Sequence, residues 1–116
     1  MQQRVVNING QIFSDQVESD ALISVYDRGF IYGDSLYEVF RTYNGRPFAL
    51  EEHLERLEKS AQLSRFVLNQ STQHYGKEVI RTIEAFREKV GANQEAYCRL
   101  IVTRGAGKIG FGLSQI

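Results

Sequence analysis

The period of the hydrophobic pattern changes once, near Leu50, and this change constrains the fold more than any other feature. Before it, 4–9 alternates apolar and polar residues, and 35–43 is rich in aromatic and β-branched residues. The pairs Asn9-Gly10 and Asn44-Gly45 follow these stretches, a pattern typical of β-hairpins. After it, apolar residues recur at helical spacing in two long segments. Strands segregated from helices in this way predict an α+β fold, with a mostly antiparallel sheet and two helices packed on one face in a two-layer sandwich.

The same patterns give bounds for the elements. Predicted strands or hairpin arms cover 4–9, 11–14, 35–43, 46–49 and 94–104, with a further short strand within 17–25. The first helix follows Leu50, Leu54, Leu57 and Ala61, and the second covers 72–90. Ser71 or Thr72 suits the N-cap of the second helix, and Gly91 suits its C-terminal end.

Length and charge limit the classes of function. The chain has 116 residues, enough for one domain, and its 14 basic and 14 acidic residues leave no excess charge to attract nucleic acid or an anionic membrane. Its apolar runs fall short of the roughly 18 residues that span a bilayer. A single cysteine, Cys98, excludes an internal disulfide. We therefore expect a cytoplasmic domain without nucleic-acid or membrane partners.

One face of the first predicted helix carries polar residues that converge. His53, Arg56 and Ser60 share this face, because residues three and four apart on a helix are neighbours. The residues alone leave two interpretations open. Arg56 pairs with Glu52 at the i,i+4 spacing on a solvated surface, or its planar, permanently charged guanidinium binds a phosphate.

The last predicted strand alternates polar and core side chains. Tyr97, Arg99 and Ile101 share one face, whereas Cys98 and Leu100 share the other. Because a buried arginine is costly unless it meets an anion, Arg99 beside Tyr97 predicts a face that lines a pocket. The alternative is an edge-strand arginine that reaches solvent.

The loop 27–34 places glycines around aromatic residues between predicted strands. It is either a tight turn in which glycines supply positive φ, or a loop that brings Tyr32 and backbone amides to a ligand. The glycine-rich segment 103–110 lacks a phosphate-loop or dinucleotide fingerprint, which argues against nucleotide binding. Two isolated histidines with one cysteine provide neither a catalytic triad nor a metal site.

Seven segments follow one another in the order of one enzyme family. They are Asn9-Gly10, 27–34 with Tyr32-Gly33-Asp34, Tyr37-Glu38-Val39 with Arg41, Tyr43-Asn44-Gly45, Glu52-His53-Leu54 with Arg56-Leu57, Tyr97 with Arg99, and Thr103-Arg104-Gly105. In this order they resemble the class IV, or fold-type IV, pyridoxal-phosphate enzymes. That family includes branched-chain amino acid aminotransferases, D-amino acid aminotransferases and aminodeoxychorismate lyases. The resemblance covers essentially the whole chain.

The resemblance implies pyridoxal 5′-phosphate as the cofactor and assigns roles to five residues. Arg56 matches the arginine that binds the cofactor phosphate. Tyr32 and Tyr37 match aromatic residues of the substrate pocket. Tyr97 and Arg99 match a pair that shapes the side-chain pocket and meets the distal carboxylate of glutamate in the branched-chain enzymes. We expect Tyr32, Arg56, Tyr97 and Arg99 to face one concave surface, in a homodimeric enzyme.

Departures from the family pattern bear on the substrate. Val39 stands where the branched-chain enzymes usually have a glycine, and 108–112 lacks the Arg-x-His of the D-amino acid enzymes. The run 104–110 resembles the lyases, but these generally lack the pair formed by Tyr97 and Arg99. The resemblance therefore favours transamination between an L-amino acid, branched-chain-like, and 2-oxoglutarate, with an aminodeoxychorismate lyase as the alternative.

The resemblance also implies that the catalytic lysine lies elsewhere. Family members carry the lysine that forms the Schiff base in a second domain, some tens of residues beyond the Thr-Arg-Gly segment, and Lys59, Lys77, Lys89 and Lys108 do not match it. Residues 1–116 are thus expected to be the N-terminal domain of a longer enzyme and to be inactive alone. The rival hypothesis is an interaction module that keeps this domain without the chemistry.

Overall fold

The computed structural model describes residues 3–14 and 20–106, which contain five strands and three helices. The strand expected within 17–25 lies partly outside these residues, and 20–25 form no strand. Lys108 and the glycines after it also lie outside them. In chain order the elements are β1 (Val6–Ile8), β2 (Gln11–Phe13), α1 (Arg28–Ile31), β3 (Ser35–Tyr43), β4 (Arg46–Pro47), α2 (Leu50–Leu63), α3 (Thr72–Val90) and β5 (Tyr97–Thr103).

The strands are antiparallel throughout the described residues, and they form two sheets where the sequence predicted one. β1 pairs with β2, and a second sheet has the order β4-β3-β5. The α+β fold class is confirmed. The helix α2 packs on β3, and α3 packs against α2 and against β1. No helix in the described part of the chain is both long and apolar enough to cross a membrane.

Two Asn-Gly pairs make the hairpin turns, as their sequence predicted. Asn9 and Gly10 have φ of 52° and 95°, and Asn44 and Gly45 have φ of 53° and 76°. A two-residue hairpin turn of this type needs positive φ at both positions, which asparagine and glycine tolerate best. The second turn is also held by Glu95, whose carboxylate accepts from the backbone N–H groups of Asn44 and Gly45 at 2.6 and 3.2 Å.

The sheet formed by β3, β4 and β5 has two unlike faces. Glu38, Phe40 and Thr42 of β3 are buried, and we call their side the covered face because α2 packs there. Residues directly opposite one another on antiparallel strands point to the same side. In this register Phe40 lies opposite Cys98 and Tyr37 lies opposite Ile101. Tyr37 and Ile101 are exposed, and we call their side the open face.

The core lies between the covered face and the two long helices. Leu57 of α2 is completely buried, at 0% exposed, and it packs in one cluster with Ala61, Phe66, Tyr75 and Val102.

Gly76 explains how closely the two long helices approach. A Cβ atom added there would lie 3.3 Å from Cδ1 of Leu54, so a glycine lets α3 pack tightly against α2. Alanine would favour an isolated helix by about 1 kcal/mol, but its Cβ would require the Leu54 side chain to shift by a few tenths of an ångström. Ser71 caps α3 by accepting from His74 N at 3.1 Å, and Gly91 ends it at φ of 100°.

Candidate functional site

Glu38 is the centre of a polar cluster between β3 and α2. Its side chain lies on the covered face and is only 7% exposed. Arg56 donates from Nε and Nη2 to Glu38 Oε1 at 3.0 and 2.8 Å, and His53 Nδ1 lies 2.6 Å from the same oxygen. A buried carboxylate is tolerated when it is paired and hydrogen-bonded in this way. The cluster therefore fixes α2 to the sheet at a defined position.

Two opposing effects set the pKa of Glu38. Burial raises the pKa of its carboxyl group, but the hydrogen bonds from Arg56 and His53, with the charge of Arg56, outweigh burial and hold it below its usual value of 4.5. In turn, the hydrogen bond to Glu38 and the charge of that carboxylate raise the pKa of Arg56. The pair is therefore fully ionised at neutral pH.

One edge of the Arg56 guanidinium is hydrogen-bonded to Glu38, and the other edge is exposed to solvent. Its side chain is 65% exposed, and its hydrogen bonds within the described residues use Nε and Nη2 and leave Nη1 unpaired. Its partner is Glu38 across the helix–sheet interface, whereas the sequence offered Glu52 as the surface alternative. A guanidinium oriented by a carboxylate, with donors facing water, is suited to bind an oxyanion.

The open face carries three of the predicted site residues, Tyr37, Tyr97 and Arg99. Tyr97 is 86% exposed and lies directly opposite Arg41 on β3. The guanidinium carbon of Arg41 lies 4.1 Å from the centre of the Tyr43 ring, a cation–π contact. This face therefore combines aromatic surface with two arginines, and the expected alternation of β5 is confirmed.

Tyr32 follows α1, a four-residue helix that the sequence did not reveal. Asp27 begins this helix by accepting from Gly29 N at 2.8 Å, and its other carboxylate oxygen accepts from Thr103 Oγ1 at 3.1 Å. A Cβ atom at Gly29 would lie 2.5 Å from Thr103 Cγ2, so only glycine permits this contact. Because Thr103 shares its face with Arg99, α1 and the exposed Tyr32 lie at one end of the open face.

The expectation that Tyr32, Arg56, Tyr97 and Arg99 face one concave surface is wrong for Arg56. Arg56 binds Glu38 on the covered face, whereas Arg99 lies opposite Val39 on the open face. Helix phase showed correctly that Arg56 points away from the leucine core. It could not show on which side of the sheet the helix packs, and this side decides the position of the arginine.

The sequence did not indicate that Arg104 and Asp34 belong to the framework around the site. Arg104 lies with Nε 2.7 Å from Asp34 Oδ2, although the two are poorly aligned for a hydrogen bond. Its guanidinium also covers the Phe66 ring at 4.5 Å. Arg104 thus joins the end of β5 to the residues before β3 and to the segment after α2. A contact between residues this far apart in sequence leaves no local signal.

The family motif contains Glu38, but the sequence does not identify this residue as the partner of Arg56. The alternation of β3 does contain a relevant signal, because Glu38 lies on the same side of the strand as Leu36 and Phe40. A charged residue in register with core positions is expected to have a buried partner.

A comparison with protein families decides the relationship. Residues 35–115 match the family model described as Amino-transferase class IV, which covers β3, the Glu38 cluster and β5. The chain belongs to the class IV aminotransferase family.

Two curated relatives show which activities occur among class IV proteins similar to this one. A putative branched-chain-amino-acid aminotransferase of Methanocaldococcus jannaschii is 37% identical over 105 residues, covering 90% of this chain and 34% of that protein. A D-alanine aminotransferase of Staphylococcus aureus is 38% identical over 87 residues, covering 75% of this chain and 27% of that protein. The class IV chain thus spans between about a quarter and a third of the length of these relatives.

Solved structures agree with the fold of this class IV chain. A 4-amino-4-deoxychorismate lyase from Pseudomonas aeruginosa has a TM-score of 0.64 and 36% identity, covering 79% of this chain and 31% of that one. A hypothetical aminotransferase from Mycobacterium tuberculosis, in a PLP-bound form, has a TM-score of 0.73 and 25% identity, covering 88% of this chain and 34% of that one.

Proposed function

We propose that, in the intact protein, this domain binds the phosphate of pyridoxal 5′-phosphate through Arg56 and supplies substrate-facing residues to an aminotransferase. The observation that carries the proposal is the arrangement of Arg56, which is oriented by the buried Glu38 and keeps donors exposed to solvent. The guanidinium can keep this ion pair and still donate to a second anion through its exposed edge.

The donor set of Arg56 fits a phosphate. The guanidinium is planar, stays charged at every physiological pH and offers parallel N–H donors that match two phosphate oxygens. When bound, pyridoxal phosphate supplies the electron-withdrawing ring that stabilises negative charge at the α-carbon of an amino acid. In this division of work, Arg56 anchors and orients the cofactor while residues of the open face bind the substrate.

The open face suits substrates that carry both a carboxylate and an apolar part. Arg99 offers a cation for the distal carboxylate of 2-oxoglutarate or glutamate, and Tyr97, Tyr37 and Ile101 offer apolar surface for a branched side chain. Tyr32 flanks this face from the end of α1. We propose L-amino acids and 2-oxo acids as the substrate class on this basis.

The positions of Arg56 and Arg99 on opposite faces mean that these residues alone do not close a pocket. We propose that the site is completed by a second, lysine-bearing domain of the intact protein and by a second copy in a homodimer. Of the four lysines, Lys59, Lys77 and Lys89 are exposed, and we assign none of them to catalysis. A cytoplasmic location is proposed with this function.

An aminodeoxychorismate lyase is the second candidate. The lyase from Pseudomonas aeruginosa supports it through its 36% identity, and Val39, which stands where the branched-chain enzymes usually have a glycine, weakens the branched-chain alternative. A lyase acts on one substrate and needs no amino-group acceptor, so the two candidates are separable. The non-catalytic module is disfavoured because it has no use for an arginine oriented toward an anion.

The experiment is an assay of the intact protein with and without 2-oxoglutarate. We expect an L-branched-chain amino acid to be converted to its 2-oxo acid only when 2-oxoglutarate is present, with equal glutamate formation. Arg99→Ala should raise the KM for 2-oxoglutarate about tenfold or more, because a charge-assisted contact is lost. Consumption of aminodeoxychorismate without an acceptor, and no transamination, would replace the aminotransferase with the lyase.

A further inference from the structure

We propose that Glu38 is a positioning residue that holds the Arg56 guanidinium ready for the cofactor phosphate, with His53 fixing the carboxylate through the same oxygen. This inference rests on the proposed function of Arg56 and deepens it. The cluster is built unequally, with a nearly buried carboxylate at its base and a largely exposed guanidinium above it. The buried carboxylate thus orients the guanidinium, and the exposed part of the guanidinium is accessible to an anion other than Glu38.

The contacts of Glu38 define the orientation. Oε1 receives both Nε and Nη2 of Arg56, at 3.0 and 2.8 Å, which fixes the plane of the guanidinium. His53 Nδ1 holds the same oxygen at 2.6 Å. The His53 ring is itself packed 5.2 Å from the ring of Phe40, centre to centre. The carboxylate therefore has little freedom, and the direction of the guanidinium follows from it.

Two effects of Glu38 on anion binding have opposite signs. A free arginine side chain has rotamer freedom worth roughly 30-fold in an equilibrium constant, and ordering it before binding removes part of that cost. The negative charge of Glu38 repels the same anion, and this charge is screened less than a surface charge because the carboxylate is nearly buried. If Glu38 acts as a positioning residue, the ordering of Arg56 must outweigh this repulsion, and Glu38 should then strengthen phosphate binding.

The test compares pyridoxal phosphate with pyridoxal, which lacks the phosphate, as probes of the intact apo-protein. Glu38→Gln keeps the shape but removes the charge, and we expect it to weaken pyridoxal phosphate binding roughly 3- to 10-fold. Affinity for pyridoxal should stay within about twofold. Glu38→Asp keeps the charge but draws it back by one methylene, and it should weaken pyridoxal phosphate binding as well.

Glu52→Gln is the matched control. Glu52 lies on the same helix, four residues before Arg56, and is exposed, so its loss changes the surface charge without changing the orientation of Arg56. Both affinities should stay unchanged. In the Arg56→Ala background, Glu38→Gln should cause no further loss of affinity for pyridoxal phosphate, because the group that Glu38 positions is gone.

The possible failures are distinguishable. If Arg56→Ala leaves pyridoxal phosphate affinity unchanged, the proposed phosphate ligand is wrong, and the role of Glu38 is wrong with it. If Arg56→Ala weakens binding but Glu38→Gln leaves it equal or tighter, only the positioning role is overturned. Equal losses for pyridoxal phosphate and pyridoxal would show that Glu38 supports the fold and does not act through the phosphate.

Discussion

The covered and open faces belong to the same β4-β3-β5 sheet, yet their side chains have different surroundings. The covered face joins apolar residues to one buried carboxylate, Glu38, which has two partners within 3 Å. On the open face, the side chains of Arg99 and Tyr97 are exposed. Stability and the anchoring of α2 thus come from one face, and a surface suited to a carboxylate substrate is offered by the other.

The comparison shows why one strand can serve both purposes. Neighbouring residues of β3 point to opposite sides, so Glu38 lies in the interface with α2 while Tyr37 and Val39 lie on the open face. A change of one residue in register would exchange the two faces. The register between β3 and β5 is therefore the feature on which both sets of residues depend.

The largest expected effect is on the free energy of unfolding, and it should differ between a buried and an exposed leucine of α2. Leu57→Ala should lower the free energy of unfolding by about 2–5 kcal/mol, because it leaves a cavity in a fully packed core. Leu63→Ala should change it by no more than about 0.5 kcal/mol, since Leu63 is 88% exposed in this domain. Denaturant unfolding of the intact protein measures both. Similar losses for the two variants would show that a further part of the protein covers Leu63.

A smaller effect concerns the pH dependence of stability. The pKa of Glu38 is lower in the folded protein than its usual value of 4.5, so the unfolded chain takes up its proton first as the pH falls. The stabilising contribution of Glu38 is therefore complete above pH 4.5 and is lost as the pH falls through the lower folded value. Glu38→Gln should be less stable at pH 7 by about 1–3 kcal/mol.

The difference between wild type and Glu38→Gln should shrink as the pH falls below 4.5 and through the lower folded pKa of Glu38, below which both folded proteins carry a neutral side chain. Chemical unfolding at several pH values measures it, with Glu52→Gln as the control for removing a carboxylate from the surface of α2. A difference that stays constant from pH 7 to pH 3 would contradict an ionised, paired Glu38.

Local patterns were sufficient for much of the fold. The bounds of β3 followed from a run of aromatic and β-branched residues ended by Asn44-Gly45, and those of α3 followed from its apolar stripe, Ser71 and Gly91. The helix α1 was missed because four residues are too few for a helical period to show. The separation of β1 and β2 from the main sheet was missed because hairpin signals do not report which strands pair beyond the hairpin.

The site was predicted less completely than the fold. Its residues could be named from the ordered motifs, and the alternation of β5 placed Tyr97 and Arg99 together. The position of Arg56 depends on Glu38, which is 18 residues away in sequence, and on the side of the sheet that α2 covers. Both are tertiary facts that neither spacing nor helix phase contains.

The most direct measurement is a titration of pyridoxal phosphate into the intact apo-protein with Arg56, Arg56→Ala and Arg56→Lys. A guanidinium bound to a phosphate contributes about 1.5–3 kcal/mol, so Arg56→Ala should weaken the affinity about ten- to a hundredfold. Arg56→Lys should recover only part of it, because lysine keeps the charge and loses the paired donors. Equal affinities for all three proteins would contradict a phosphate-binding role and leave Arg56 as a structural ion pair with Glu38.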